Sequence, residues 1–391
     1  MADQLSIIEA TDRFTTGNYA RYPVAFVRGE GRRLYDDEGK AYLDMLSGLG
    51  VSCLGYGHPG LISAIEEQAR SLVHVSNLFY SEPGARLAEA LVESSFANRA
   101  FFCNSGTEAN EAAIKMARRL DQGRHEIVAA HRSFHGRTLG ALAATGQPEL
   151  QEGFGPMPGG FVHVAYDDAD ALAAAVGSQT AAVILEPIMG EGGVVVPRPE
   201  YLKAARRICD DSGALLIFDE VQCGWGRTGT LWAHEGFHVT PDVLTAAKGL
   251  GGGLPIGAVL ATERAAKSFV PGAHGSTFGA NPVACRAALS VLEAFRSEDV
   301  FANCRRSGSH LRRRLDALAA SRGDVAEVRG RGLMQAIELK RPARPVVETA
   351  LERGVILNAT AGTVIRLLPP LTITVDEIDE GVAVLATALD S

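Results

Sequence analysis

The stretch Ala214–Gly229, ALLIFDEVQCGWGRTG, runs apolar residues straight into two carboxylates, Asp219 and Glu220, and then into a glycine-rich turn. Ala214–Phe218 reads as a buried strand. An ionised carboxylate at the end of a dry strand is costly unless a positive group meets it. Similar runs flank this one between about Phe101 and Ala261: RAFFCN, EIVAA, FVHVA, AAVILE, DVLTAA and IGAVLA, alternating with helical patterns. Continuous apolar strands separated by helices predict an α/β fold with a mostly parallel, seven-stranded sheet covered on both faces. Ligands on such sheets collect beyond the carboxyl ends of the strands, and Asp219 sits at one such end.

Past about Ala294 the pattern changes to amphipathic helix (CRRSGSHLRRRLDALAA) and short strands (LMQAIEL, TVIRLLPP). This predicts a smaller α+β unit, completed by the first few tens of residues. The expected division is an N-terminal segment 1–50 joining the small domain, a large domain 51–294 and a C-terminal small domain 295–391. The helix after FFCN carries Ala109, Ala112, Ala113, Met116, Ala117 and Leu120 on one face, and Ser105 and Glu108 have capping-box spacing at its start.

With 391 residues, 46% hydrophobic and 21% charged, the chain has ordinary globular composition. A net charge of -8 supplies no basic footprint for nucleic acid or anionic membrane. The six cysteines form no Cys-x-x-Cys pair and read as free thiols of a reducing cytoplasm. MADQLSIIEA has neither the basic start nor the apolar core of a signal peptide. The one long apolar stretch, Val243–Ala261, holds five glycines, a proline and a lysine, which argues against a spanning helix.

That lysine, Lys248, is the only charge in its run. Either it snorkels to water, or it is desolvated and becomes a usable amine nucleophile. NSGTEAN places Ser105, Gly106 and Thr107 between a strand and a helix, which is either a plain capped helix or a cradle for an anion. Asp219 is either a turn cap or the partner of a cationic ring nitrogen. A phosphate cradle, an amine and a carboxylate are together the parts that pyridoxal phosphate needs. HEGFH, His234–His238, matches the zinc-protease pattern, but Gly236 and Pro241 oppose the helix it requires, and HRSFH, His131–His135, is equally weak. Arg137 follows a strand end and Arg366 lies within an apolar strand; each wants a carboxylate from protein or substrate, and Glu191 is a candidate for Arg366.

SNLFYSEP, FFCNSGTEANEAAIKMAR, SFHGRTLGALAATGQP, LEPIMGEGGV, LIFDEVQCGWGRTG, PDVLTAAKGLGGGLPIGA, HGSTFGANPVAC and VIRLLPPLTI occur in this order along nearly the whole chain. So ordered, they resemble the class-III, fold-type I pyridoxal-phosphate aminotransferases, most closely the acetylornithine aminotransferase group. The resemblance implies that Lys248 forms the Schiff base and shuttles a proton, while Asp219 holds the pyridinium. It further implies that Gln222 meets the ring hydroxyl, Phe134 stacks on the ring, and Ser105, Gly106 and Thr107 hold the phosphate, with Glu220 and Val221 in the same cofactor set. Thr277 would reach the cofactor of a neighbouring subunit, with Ser276 beside the substrate, so the site would need a homodimer. Arg137 would bind the carboxylate of an N-acylated ω-amine, or the side-chain carboxylate of glutamate. Arg366 would take glutamate's α-carboxylate, and Glu191 would cover it otherwise.

The implied activity is cytoplasmic transfer of an amino group from N2-acetylornithine to 2-oxoglutarate in arginine biosynthesis. Competitors are N-succinyl-diaminopimelate, succinylornithine, ornithine and 4-aminobutyrate aminotransferases, and, in another class, an aminomutase of the glutamate-semialdehyde type. Leu49 stands where ornithine aminotransferases carry a tyrosine, and Trp225 and Ala280 where relatives often have Met and Gly.

Overall fold

Alternating side chains on three central strands divide the hydrophobic interior of this protein into layers. In the computed structural model, which describes residues 4–391, the chain begins with a helix, Gln4–Phe14. Three short antiparallel strands follow, β1 (Arg28–Glu30), β2 (Arg33–Tyr35) and β3 (Ala41–Asp44). Then come β4 (Arg99–Cys103), β5 (Glu126–Ala130), β6 (Phe161–Val164), β7 (Thr180–Leu185), β8 (Leu215–Asp219), β9 (Val243–Ala246) and β10 (Gly257–Ala261). These are the seven apolar runs of the sequence, and they form one sheet in the order β4-β10-β9-β8-β7-β5-β6. Only β10 runs antiparallel to its neighbours.

Successive residues of β5, β7 and β8 point to opposite faces, as the pleat requires. Val128, Ala130, Val183, Leu185, Leu216 and Phe218 enter one cluster, whereas Ile127, Ala129, Ala182, Ile184, Leu215 and Ile217 enter another. Both faces are therefore covered, and each buried Val, Leu, Ile or Phe contributes about 1.5–3 kcal/mol. The helix Gly106–Leu120 buries Ala109, Ala112, Ala113, Met116 and Ala117, the face the periodicity predicts. Its start is only half a capping box. Ser105 Oγ accepts the Glu108 N–H, but the Glu108 carboxylate takes the N–H and amide of Asn104, one residue earlier than the motif expects.

The last part of the chain adds a 21-residue helix, Val300–Ala320, and the strands β11 (Val325–Arg331), β12 (Met334–Leu339), β13 (Val355–Ile356), β14 (Asn358–Thr360) and β15 (Val364–Leu367). An antiparallel sheet joins β11-β12-β15-β14, while β13 pairs in parallel with β3. Residues near the two ends of the chain thus share one small sheet. Val243–Ala261 is divided between β9, a tight turn at Lys248–Gly251 and β10, and no described helix is long and apolar enough to cross a membrane.

Candidate active site

At the carboxyl end of β8 lies a cavity of about 420 Å³, lined among others by Gly106, Thr107, Phe134, Asp219, Gln222 and Lys248. Asp219 is almost fully buried, and its oxygens are already held. Oδ2 accepts from Asn110 Nδ2 at 2.7 Å and faces His135 Nδ1 at 2.8 Å, and Oδ1 accepts from the Val221 N–H at 3.0 Å. Asn110 is itself fixed, because Thr245 Oγ1 donates to its Oδ1 at 2.7 Å and its Nδ2 also reaches the His135 carbonyl. A carboxylate gripped this way cannot swing out of the cavity.

Lys248 lines the same cavity from the turn after β9 and holds a positive φ of 49°, a conformation that costs a non-glycine residue about 1–3 kcal/mol. It keeps some exposure through the cavity, yet burial lowers its pKa, with Arg366 acting in the same direction and Glu191, Asp219 and Glu186 opposing. The outcome is an amine more easily deprotonated than a surface lysine.

Opposite, the N-terminus of the helix Gly106–Leu120 opens onto the cavity. A Cβ at Gly106 would lie 2.6 Å from Val221 Cγ1, so only glycine permits this approach. Thr107 Oγ1 accepts from the N–H groups of Arg137 and Thr138 and shares a proton with Thr138 Oγ1. Helix-terminal amides beside a hydroxyl form an anion site.

Arg366, on β15, is 1% exposed. Glu191 meets it at 2.7 and 3.2 Å, Gln222 Oε1 accepts at 2.9 Å and Asn358 Oδ1 at 2.8 Å. Burial alone would raise the Glu191 pKa, but the charge and hydrogen bonds of Arg366 outweigh it and hold the carboxyl below its ordinary range. Arg137 is exposed, lies 5.7 Å from the centroid of the Phe134 ring and has no carboxylate within ion-pair distance among the described residues. The two arginines therefore differ: one is covered by a carboxylate, the other is free.

Not every expected residue joins the cavity. Glu220 turns to the opposite side of the strand end, where its carboxylate accepts the N–H groups of Ala233 and His234 and meets His234 Nδ1 at 2.8 Å. Successive strand residues point apart, so Asp219 and Glu220 cannot both face one cavity. Ser276 sits beside the anion end, where its Oγ accepts from Asn104 Nδ2 at 3.2 Å, and Thr277 lies exposed on the surface. Val51 lines the cavity whereas Leu49 does not. His234 is committed to Glu220, and no cluster of three or more potential metal ligands exists among the described residues.

Three residues escaped the sequence reading. Asn110 is a polar residue on the buried face of an otherwise apolar helix. His135 was passed over with the zinc-like spacing of HRSFH. Glu186 follows the apolar run of β7 just as Asp219 ends that of β8. Its oxygens accept from the N–H of Phe134 at 3.0 Å and of Gly190 at 2.8 Å, and burial pushes its pKa up to about 7. Glu186 thereby ties the loop bearing Phe134 to the loop bearing Glu191.

Residues 15–389 match the family model described as aminotransferase class-III. An acetylornithine aminotransferase of Mycobacterium tuberculosis is 52% identical over 377 residues, covering 95% of this chain and 93% of that protein. Among solved structures, an ornithine aminotransferase from Toxoplasma gondii with pyridoxal phosphate at partial occupancy in its active site superimposes with a TM-score of 0.95, at 33% identity, over 98% of this chain and 93% of the other. An acetylornithine aminotransferase from Elizabethkingia anophelis gives 0.89 at 31% identity, covering 100% of both chains.

Proposed function

The chain belongs to the class-III aminotransferases, and from that premise we propose that it moves the terminal amino group of N2-acetylornithine to 2-oxoglutarate, giving N-acetylglutamate 5-semialdehyde and glutamate. The carrying observation is the unequal pair of arginines: Arg366 buried and covered by Glu191, Arg137 exposed and free. An enzyme that alternates between a donor with one carboxylate and a donor with two must present one cation always and a second only on demand. Arg137 is the permanent site, and the Glu191–Arg366 pair is the conditional one.

The cofactor is pyridoxal phosphate. The residues present fit it: helix-terminal amides at Gly106 and Thr107 for the phosphate, Asp219 for a cationic ring nitrogen, and an amine with a lowered pKa at Lys248. When bound, this group supplies an electron sink that stabilises the negative charge left at the amine-bearing carbon. Lys248 holds the cofactor and then carries a proton on Nζ, a task that burial assists by easing its deprotonation. Asp219 would keep a ring nitrogen protonated, and Asn110 and His135 hold Asp219 in place. Phe134 and Val221, which line the cavity, would flank the ring, Ser105 caps the helix whose amides would hold the phosphate, and Gln222, which also accepts from Arg366, would meet the ring hydroxyl. An amino group stored on the enzyme between donor and acceptor implies ping-pong kinetics.

A homodimer completes this reading. Thr277 is exposed, as a residue serving a neighbouring site should be, and Leu78, Phe79, Tyr80 and Phe278 present large apolar side chains to solvent. The six cysteines are all free and buried, which supports a cytoplasmic setting. Initial rates with acetylornithine, succinylornithine, N-succinyl-diaminopimelate, ornithine and 4-aminobutyrate, each with 2-oxoglutarate, test the substrate. Acetylornithine should lead in kcat/KM. Silence toward it beside fast turnover of another amine would overturn the choice, and turnover with no keto acid would indicate an aminomutase.

A further inference from the structure

Glu191 is carried by a loop whose composition ill suits a side chain that has to be aimed. Its neighbours are Gly190, Gly192 and Gly193, and glycine gives up more backbone freedom on folding than any other residue. The loop first closes on itself. Met189 and Val195 exchange both backbone hydrogen bonds, and the Gly190 carbonyl accepts from the N–H groups of Gly193 and Val194. The next three carbonyls are then taken, one after another, by side chains from elsewhere in the chain. Thr360 Oγ1 donates to the Glu191 carbonyl at 2.7 Å, Arg132 Nη2 to that of Gly192 at 2.6 Å, and Arg329 Nε and Nη2 to that of Gly193 at 3.0 and 2.8 Å. Arg132 follows β5 of the large sheet, whereas Arg329 and Thr360 stand on β11 and β14 of the small one. The glycines let these groups come close: a Cβ at Gly190 would lie 2.2 Å from Gln222 Oε1, and one at Gly192 2.6 Å from the Arg132 carbonyl oxygen.

Strand β14 touches both halves of the ion pair. Asn358 and Thr360 are two residues apart and so share one face of the strand. Asn358, which faces Arg366 across the β14–β15 register, accepts from its guanidinium, while Thr360 holds the Glu191 backbone. Two routes could uncover Arg366. Rotating the Glu191 side chain breaks its bonds to Arg366 and to Gln222 Nε2. Lifting the loop breaks those and, in addition, the four bonds from Thr360, Arg132 and Arg329. Rotation is therefore the less costly route, and the held backbone sets where the carboxylate returns.

We propose that Thr360 and Arg132 are positioning residues for substrate discrimination: by fixing the backbone of Glu191 they set how hard its carboxylate is to displace from Arg366. This inference rests on the reading of that pair as a conditional carboxylate site.

The test uses the cofactor-loaded enzyme and measures each half-reaction separately by rapid-mixing absorbance. Thr360→Val keeps the branched shape and deletes the hydroxyl, so Glu191 is held less firmly and the Kd for glutamate should fall by about threefold to fivefold, the worth of one hydrogen bond. The acetylornithine rate constant and the resting absorbance of the cofactor should stay within about twofold, and Thr360→Ser, which keeps the donor, should restore the unaltered Kd. Arg132→Gln, at an exposed side chain, should shift glutamate in the same direction and covers the case in which Thr360→Val folds poorly. Because Thr360 acts through Glu191, adding Thr360→Val to Glu191→Gln should change the glutamate Kd by less than about twofold. Equal shifts in both half-reactions, an unchanged glutamate Kd in both single variants, or a full Thr360→Val effect in the Glu191→Gln background would each overturn the proposal. If Glu191→Gln alone leaves glutamate binding unchanged, the conditional site itself falls and this inference falls with it. If Glu191→Gln tightens glutamate while Thr360→Val and Arg132→Gln do not, only the positioning role is lost.

Discussion

Replacing Glu191 by glutamine probes the conditional site directly. The substitution keeps the shape and one acceptor oxygen but removes the charge that covers Arg366, leaving a guanidinium that is 1% exposed with neutral acceptors on Gln222 and Asn358. Breaking a fully buried pair costs about 3–5 kcal/mol. The Glu191 side chain is 28% exposed and the glutamine retains a hydrogen bond, so the expected cost is lower, roughly 2 kcal/mol. The same energy opposes glutamate in the unaltered enzyme, because its α-carboxylate must displace Glu191 before it reaches Arg366. Removing that competition should tighten glutamate binding by up to about thirtyfold. Acetylornithine gains nothing, since its reaction leaves Arg366 covered. Rapid-mixing absorbance of the bound cofactor, with glutamate alone and with acetylornithine alone, separates the two half-reactions. The Kd for glutamate should fall by about tenfold or more, with the acetylornithine rate constant changed by less than about threefold. Equal changes in both half-reactions, or weaker glutamate binding, would refute a gate at this pair. The pH dependence follows with a definite sign. Since the pair holds Glu191 below the ordinary value of 4.5, its stabilisation is present above that pH and is lost as pH falls through the depressed value. Glu191→Gln should lack that acid limb of the melting curve.

Lys248→Ala should abolish turnover, and borohydride should no longer fix cofactor to the protein, as mass spectrometry would show; turnover near the unaltered rate would remove the lysine from its role. Arg227→Met should destabilise the fold by roughly 3 kcal/mol, because the buried guanidinium serves the Leu333 and Pro369 carbonyls and Ser47 Oγ, joining three distant parts of the chain. Thermal unfolding of the cofactor-loaded protein measures this, and an unchanged midpoint would show that the hub is dispensable. Glu186→Gln should flatten a pH dependence of stability. An acid raised from 4.5 to about 7 withdraws stability as pH rises through that window, and the glutamine cannot ionise. Melting curves for the variant that keep the slope would assign it to another group.

The seven strands were legible because a parallel strand buried on both faces needs no polar alternation, and an unbroken apolar run is its direct signature. The order of the strands was not. Nothing in IGAVLA announces that β10 inserts antiparallel between β4 and β9, since one of its two neighbours, β4, lies more than a hundred positions earlier in the chain. Ser105 and Glu108 have the spacing of a capping box, but spacing alone does not form one. The Asn104 amide, a competing donor one residue earlier, decided otherwise. Ala280, noted only as a departure from a usual glycine, has φ of 57°, which is why glycine suits that position.

The cavity shows the same limit more sharply. Asp219 drew notice as a charge at the end of a dry strand, yet Glu186 carries an identical signal at the end of β7. A sequence presents strand ends one at a time. The parallel register of β7 and β8 pairs Leu185 with Phe218, so the next positions along are Glu186 and Asp219, on adjacent strand ends. Two buried acids so placed cannot ionise freely together, and the Asp219 charge adds to burial in raising the Glu186 pKa while His135 opposes. His135 matters for the same reason: its ring is buried against Asp219 rather than poised for a metal. The spacing that made HRSFH look like a weak zinc motif was thus irrelevant, because the position that counts is set by where the strand before it ends. Individual donors and acceptors could be nominated from residue type, but the sheet register determines which of them act on one another.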